Sequence, residues 1–226
     1  MKKSLNVKFL KSFVAFTLAE TLIVMGIIGV VAALTIPNLS SSTGEKEKVA
    51  KVKKIYSNLE DAFGRAKSVY GPIDEWFIND SNSTAQTTRF AERITEFMKV
   101  SKNCKFEDTK ACSYTKDYYR FNTADGTAIA INFSGALKHV YVDIDGSKGA
   151  NIDGKDRFIF IIADDEIIPM GRDARTSPLT SCYSAGGAFC TDWVLEMGNL
   201  DYLKIDTSGK CPNGKVLDWT TNTTCK

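Results

Sequence analysis

The feature that most constrains this chain is an uninterrupted apolar run close to its N-terminus. Residues 22–34 contain no polar side chain, and the wider window 16–36 holds one charge, the carboxylate of Glu20. A helix over that window would be about 32 Å long, close to the roughly 30 Å hydrocarbon core of a bilayer. The run therefore predicts a transmembrane helix. The lysines that precede it keep the N-terminus in the cytoplasm by the positive-inside rule: Lys2, Lys3, Lys8 and Lys11.

An ordinary secretory signal is the alternative interpretation of residues 1–34. A basic segment, an apolar stretch and small residues near Ala33 are typical of such signals. Glu20 fits that interpretation badly, because a carboxylate at the centre of a membrane-spanning helix costs about 2.5–3.5 kcal/mol, and less near an end. A charge retained inside an apolar stretch therefore indicates a partner or a function for Glu20.

Residues 15–20, with the sequence AFTLAE, resemble the processing site of type IV pilins and type II secretion pseudopilins. In that family a prepilin peptidase removes a basic leader just before a Phe, whose new amine is then methylated. The resemblance implies cleavage between Ala15 and Phe16 and makes Glu20 the fifth residue of the mature chain. It continues through the apolar helix, implies a helix bend at Pro37, and fades after about residue 39. Ala15 departs from the Gly that the family usually has, and slower processing is the expected consequence.

The resemblance also implies a role for Glu20 in assembly. In the family, the glutamate of one subunit neutralises the terminal amine of its neighbour, which here would be the amine of Phe16. That attraction is strong at low dielectric, and an unpaired partner is costly. A local alternative stays open, because Glu20 follows Phe16 by four residues and both lie on one helix face. The implied partners are prepilin peptidase, other pilin-like subunits and the inner-membrane assembly machinery.

The remaining patterns predict an α+β fold. We expect a basic leader over residues 1–15, an apolar transmembrane and assembly helix over 16–39, and an exported domain over 40–226. Apolar residues recur at helical spacing to about residue 70, where Gly71-Pro72 predicts a helix end. A short helix is predicted around 87–100, and strands over 118–122, 127–133, 139–144, 157–162 and 166–170. The long N-terminal helix, with a membrane-spanning first half, would pack on this small antiparallel sheet.

All six cysteines follow the apolar run and predict a disulfide framework formed outside the cytoplasm. Proximity favours the pairs Cys104–Cys112, Cys182–Cys190 and Cys211–Cys225, although other connectivities are open to six cysteines. The sequence has no Cys-x-x-Cys pair, which argues against zinc ribbons and thioredoxin-like redox sites. The single histidine, His139, argues against His-based catalysis, and we interpret it as structural or exposed. The net charge of +2 is too weak for a nucleic-acid binder.

Residues 143–156 carry oxygen-bearing side chains at alternating positions with glycines between them. Calcium takes about six to eight oxygen ligands, which short acidic turns can supply, and some pseudopilins bind calcium in a loop of this region. The loop is not an EF-hand, because Gly146 stands at the fourth position and no Glu closes the twelfth. The alternative is a Gly- and Asp-rich connection between strands. The candidate calcium ligands are Asp143, Asp145, Ser147, Asn151, Asp153 and Asp156.

These patterns together predict a structural subunit without enzymatic activity. The resemblance implies polymerisation through the N-terminal helix into a type II secretion pseudopilus or a type IV pilus. The expected localisation is single-pass in the cytoplasmic membrane, with the assembled filament on the extracytoplasmic side. The alternative is a membrane-tethered or secreted calcium-binding module that never polymerises. The mature N-terminus distinguishes them, since only the pilin-like subunit would begin with a methylated Phe16.

Overall fold

The structure, a computed structural model, describes residues 17–77, 82–107, 111–134, 137–146, 148–174, 179, 182 and 186–226. Side chains are not described for residues 35–43 and 137. The chain forms two compact units, residues 1–43 and 44–226, and each is considered by itself. Residues 1–15, the predicted leader, lie outside the described residues, so the leader stays a prediction, as does the boundary predicted near residue 39.

Helix α1 (Leu18–Tyr70) begins in the first unit and ends in the second. Its end is set by Gly71, which adopts a left-handed φ of 77° and donates its N–H to the carbonyl of Lys67 at 2.9 Å. Pro72 follows and cannot continue a helix. The helix therefore ends at the Gly-Pro pair that predicted its end. Residues 35–43 are helical in backbone, and the bend expected at Pro37 stays a prediction.

Along the part of the chain whose side chains are described, no helix combines the length and the apolarity needed to cross a membrane. The fully described apolar stretch of α1, Leu18–Leu34, is shorter than the about 20 apolar residues of a typical span and includes Glu20. This finding corrects the predicted single-pass localisation in the cytoplasmic membrane and the membrane-spanning first half of the helix, neither of which the structure supports.

The α+β class is confirmed by a six-stranded antiparallel sheet in the second unit, with spatial order β1 to β6 as in the sequence. Five strands lie close to their predicted positions, whereas β1 has no predicted counterpart. Two register irregularities interrupt its pairing with β2, and most of its side chains are exposed. The strands are β1 (Val100–Lys105), β2 (Tyr119–Thr123), β3 (Ala128–Ser134), β4 (Leu137–Asp143), β5 (Arg157–Ala163) and β6 (Glu166–Pro169).

The core of the second unit joins the later part of α1 to the sheet. Val52, Leu59 and Ala66 of the helix are fully buried and belong to one cluster with the apolar side chains of the strands. Their spacing of seven residues places them on one helix face. Tyr56 stacks on Phe160 of β5 with ring centroids 5.5 Å apart and planes within 6° of parallel. The apolar stripe of residues 49–66 is therefore covered by the sheet.

Short helices and disulfides complete the second unit. Helix α2 (Ser83–Thr95) begins earlier than predicted because Asn82 caps it, accepting the N–H of Ala85 at 2.8 Å. Helix α3 is Thr191–Met197, and 3₁₀ helices span Ile73–Phe77, Arg172–Ala174, Ala188–Cys190 and Asp201–Lys204.

The three disulfides join the pairs predicted from proximity, namely Cys104–Cys112, Cys182–Cys190 and Cys211–Cys225.

Candidate functional site

The first candidate site is the start of α1, where Thr17 and Glu20 cap the helix reciprocally. The carboxylate of Glu20 accepts the backbone N–H and the hydroxyl of Thr17, each at 2.9 Å. The hydroxyl oxygen of Thr17 in turn accepts the N–H of Glu20 at 3.2 Å. This is a capping box, in which a Thr and a Glu three residues later satisfy two N–H groups that the helix leaves free.

The capping box gives Glu20 a third role beside the two predicted ones. Ala15 and Phe16 lie outside the described residues, so neither the cleavage site nor a contact between Glu20 and the Phe16 amine is tested. The signal for the cap was present in the sequence as Thr17-x-x-Glu20 directly before an apolar run.

The helix that follows the cap exposes apolar side chains around its whole circumference. Ten large apolar residues between positions 18 and 34 are 53% to 80% exposed, including Leu18, Met25 and Leu34. Because three to four residues complete a turn, the consecutive exposed residues Leu22, Ile23, Val24 and Met25 face every direction around the axis. An apolar surface of this extent marks an interaction site in most proteins.

The second candidate site is the acidic loop between β4 and β5, where Asp143 is the best-defined group. Its carboxylate is fully buried and accepts the hydroxyl of Ser113 at 2.9 Å. Asn151, with its amide oriented for hydrogen bonding, donates to the same carboxylate at 3.0 Å and accepts from Arg157 at 3.3 Å. The Nε atom of Arg157 lies 3.8 Å from that carboxylate. Asp143 thus belongs to a buried polar network of four side chains.

Burial raises the pKa of Asp143 to about 6, and the adjacent carboxyl of Asp145 adds to the rise. The Oδ1 atom of Asp145 is buried without a hydrogen-bond partner among the described residues. Two carboxyls this close resist simultaneous ionisation unless a cation or a proton lies between them. This pair is the part of the predicted calcium loop that the structure brings together.

Among the other candidate ligands, Asn151 also contacts Asp143, but no third carboxylate of the described residues joins the pair. Asp156 is buried and forms a salt bridge with Lys48 of α1. Asp153 forms an isolated backbone bridge with Arg157, and Ser147 lies outside the described residues. Among the described residues there is no group of three or more acidic, His or Cys side chains that could hold a metal ion. Calcium binding therefore stays a prediction that rests on Asp143 and Asp145.

An aromatic cluster beside this loop was not predicted. The guanidinium of Arg157 lies 4.6 Å from the ring centroid of Tyr114, whose ring is 6.0 Å from that of Tyr141. Burial raises the pKa of Tyr114, and its φ of 69° is unusual for a residue other than glycine. His139 packs against Tyr141 at 5.6 Å, and burial lowers the pKa of its imidazole. These contacts join Tyr114, Tyr141 and His139 into one packed cluster beside Arg157, the partner of Asp143.

The chain has no match among protein-family models, curated proteins or solved structures. Family membership therefore rests on residues 15–37 alone and enters the functional argument as a proposal. What the structure contributes independently is the capped and exposed apolar helix on one unit and the disulfide-linked α+β domain on the other.

Proposed function

We propose that this chain is a structural, pilin-like subunit that polymerises through α1 after removal of residues 1–15. Prepilin peptidase would cut between Ala15 and Phe16, and the mature chain would begin two residues before the helix. The partners would be further copies of this chain or related pilin-like subunits, together with the machinery that assembles them. The filament would be a type II secretion pseudopilus or a type IV pilus.

The exposed apolar surface of residues 18–34 is the observation that carries this proposal. Burying one large apolar side chain stabilises an assembly by roughly 1.5–3 kcal/mol. Ten such side chains lie on this short stretch of helix, so packing against neighbouring helices would release a large free energy of association. A surface that is apolar on all sides suits a helix surrounded by several neighbours better than one that contacts a single partner.

Glu20 fits the proposal because its carboxylate is exposed at the beginning of this apolar surface. The capping box uses one of its oxygens, Oε2, and no hydrogen bond to the other is found among the described residues. An assembled bundle would remove this carboxylate from water, which is costly unless a positive charge accompanies it. The amine created at Phe16 of a neighbouring copy would supply that charge.

Two single variants separate the capping role of Glu20 from its proposed pairing role. Glu20→Gln keeps a side chain that can complete the capping box but removes the negative charge. Thr17→Ala removes the cap oxygen, at a cost of about 1 kcal/mol, and leaves the carboxylate intact. Both are to be produced as full chains in cells that contain prepilin peptidase and the assembly machinery, and filaments are to be quantified by electron microscopy and sedimentation.

The proposal predicts that Glu20→Gln lowers the filament yield by about tenfold or more, whereas Thr17→Ala assembles nearly as well as the wild type. Equal losses in both variants would mean that Glu20 acts only as a helix cap. Normal filaments from Glu20→Gln would remove the charge-pairing account. The absence of filaments from the wild-type chain in such cells would contradict the proposed function itself.

A further inference from the structure

A cleft of about 380 Å³ lies along one flank of α1, where the helix meets the segment before β1 and the turn between β2 and β3. Its basic residues are Lys54, Arg65 and Lys99, and its apolar floor includes Phe97. The guanidinium of Arg65 lies 5.4 Å from the ring centroid of Phe97. The cleft therefore offers cations above an apolar surface.

The cations of this cleft differ in how far they are already neutralised. Lys54 forms a salt bridge of 2.6 Å with Asp125, and Arg65 is 3.5 Å from Asp61. Exposed pairs of this kind contribute little and exchange partners readily. The ammonium group of Lys99 has no ion pair within the described residues, and this residue is exposed. Lys99 is thus the group most available to an incoming anion.

The opposite flank of α1 carries an acidic turn between β5 and β6. Asp164 and Asp165 have positive φ angles of 49° and 58°, as in the tight turns that join antiparallel strands. Asp165 is anchored, because its carboxylate accepts the N–H of Ile73 at 3.0 Å and pairs with Lys67 at 3.1 Å. Asp164 and Glu166 are exposed, and their carboxylates have no partner in the described parts of the chain.

Helical geometry places these two features on different sides of α1. The helix residues beside the cleft are 54, 58, 61 and 65, whereas those beside the acidic turn are 56, 60, 63, 64 and 67. At 3.6 residues per turn the centres of the two sets are roughly 215° apart when measured around the helix through the core-facing residues. They also flank different ends of the sheet, since the turn belongs to the edge strand β6 and the cleft lies near the other edge strand, β1. One domain therefore cannot bring its own turn into its own cleft.

We propose that the acidic turn of one copy docks into the basic cleft of the next. The proposal rests on the proposed function and deepens it by naming a domain–domain contact inside the polymer. Asp164 and Glu166 of one copy would face Lys99 and Arg65 of its neighbour, with the anchored Asp165 holding the turn in shape. A head-to-tail contact between two different surfaces of the same chain repeats from copy to copy, and it builds an open helical chain wherever the repeat does not close into a ring.

Charge complementarity is the argument for a second copy as the occupant. The acidic turn supplies two exposed carboxylates, and the cleft supplies Lys99 together with Lys54 and Arg65, which are paired with Asp125 and Asp61. Such complementary charges at the rim of an interface set register and speed association more than they add affinity. The contact would therefore order the domains around a polymer whose free energy comes from the apolar part of α1.

Zero-length cross-linking between two isotopic populations tests this contact. Full-length chain labelled with ¹⁵N is mixed with unlabelled chain in a mild detergent, the detergent is removed so that the apolar helices can associate, and a carbodiimide then joins amines to carboxylates in contact. The expected product joins a peptide containing Lys99 to one containing Asp164 or Glu166, in mixed-isotope form. Only light–light and heavy–heavy products, or none, would overturn the proposal.

Charge reversal gives an independent measurement, by sedimentation after the same removal of detergent. Lys99→Glu should weaken self-association by about tenfold, and so should the pair Asp164→Lys with Glu166→Lys. Mixing these two variants should restore association, because the intact turn of the first fits the intact cleft of the second and the reversed cleft and reversed turn are again complementary in charge. Lys148→Glu, an exposed reversal on neither flank, should behave as wild type.

The outcomes separate this contact from the proposed function. One outcome would be filaments with a processed N-terminus that show no cross-link and are unaffected by Lys99→Glu. It would overturn the contact and leave the proposed pilin-like function intact. Closed dimers as the limiting species would also overturn the contact, because the turn and the cleft lie on different sides of the domain and a single neighbour cannot engage both. Cross-linking without any processing at Phe16 would support the contact and contradict the proposed function.

Discussion

The carboxylate of Asp201 accepts the backbone N–H of Cys225 at 2.8 Å and thereby ties the 3₁₀ helix Asp201–Lys204 to the C-terminal disulfide. The same oxygen accepts the hydroxyl of Thr224 at 2.6 Å, and Lys204 lies 2.6 Å from the other oxygen. Burial alone would raise the pKa of Asp201, but these hydrogen bonds and the Lys204 charge lower it overall. One buried carboxylate therefore joins two segments that are distant in sequence.

We expect Asp201→Asn to destabilise the second unit by about 1.5–3 kcal/mol at pH 7, as for the loss of hydrogen bonds to a charged group. A carboxyl whose pKa is lower in the folded than in the unfolded state stabilises the fold above its unfolded pKa. That contribution is lost as the pH falls through the folded pKa. The difference between wild type and Asp201→Asn should therefore shrink below about pH 4.

Urea unfolding of the full chain followed by tryptophan fluorescence measures this difference, because all three tryptophans lie in the second unit. Asp61→Asn is the matched control, since Asp61 pairs with Arg65 at the surface and should cost no more than about 0.5 kcal/mol. If the loss of unfolding free energy caused by Asp201→Asn stayed constant from pH 7 to pH 3, the lowered pKa of Asp201 would not contribute to stability as argued.

A second prediction concerns Gly154, which has a φ of 73° and lies against the backbone of Gly187. A Cβ atom at position 154 would stand 2.7 Å from the carbonyl oxygen of Gly187, which belongs to backbone and cannot move aside cheaply. Gly154→Ala should therefore destabilise the domain by about 2–5 kcal/mol, combining backbone strain with overpacking.

Gly214→Ala separates the two contributions in the same urea experiment. Gly214 has a similar φ of 82°, but a Cβ atom added there would meet open space, with no neighbouring side chain or backbone within 4 Å. The substitution should therefore cost only about 1–2 kcal/mol of backbone strain. If both substitutions lowered the free energy of unfolding equally, the close approach to Gly187 would contribute nothing to the effect of Gly154→Ala.

A third prediction concerns calcium at Asp143 and Asp145. Because Asp156 is held by Lys48 and only two carboxylates converge, we expect weak binding, with a dissociation constant of about 10⁻⁴–10⁻³ M. Millimolar calcium should raise the urea midpoint of the full chain by mass action, and Asp143→Ala with Asp145→Ala should abolish the rise. Asp117→Ala, outside the loop, should retain it. An unchanged midpoint with calcium and with chelator would leave the loop as a structural turn.

The strands were predictable where side chains alternate or are strongly apolar, as in β3 and β5. Strand β1 was not, because its sequence VSKNCK lacks an apolar face and its pairing with β2 is interrupted twice. Its strand conformation comes from its neighbours instead of from its own pattern.

The start of α2 was missed for a different reason. Asn82 caps it one residue before Ser83, and the predicted start was placed instead at the apolar residues that follow.

The candidate site was predictable only in part. The oxygen-rich spacing of residues 143–156 indicated a turn with clustered carboxylates, and Asp143 and Asp145 do lie together. The pattern could not show that Asp156 would pair with Lys48, which is more than a hundred residues away in sequence. Tertiary pairing of this kind leaves no local signal. The same limit applies to Ser113 and Arg157, which complete the network around Asp143.

The N-terminus of the mature chain tests the central claim most directly. The protein is to be isolated from cells with active prepilin peptidase and its N-terminal peptide identified by mass spectrometry. The account predicts a chain that begins at Phe16 with a methylated amine, so that Thr17 and Glu20 cap a helix starting two residues later. A chain that begins at Leu34, or one that keeps Met1, would contradict it.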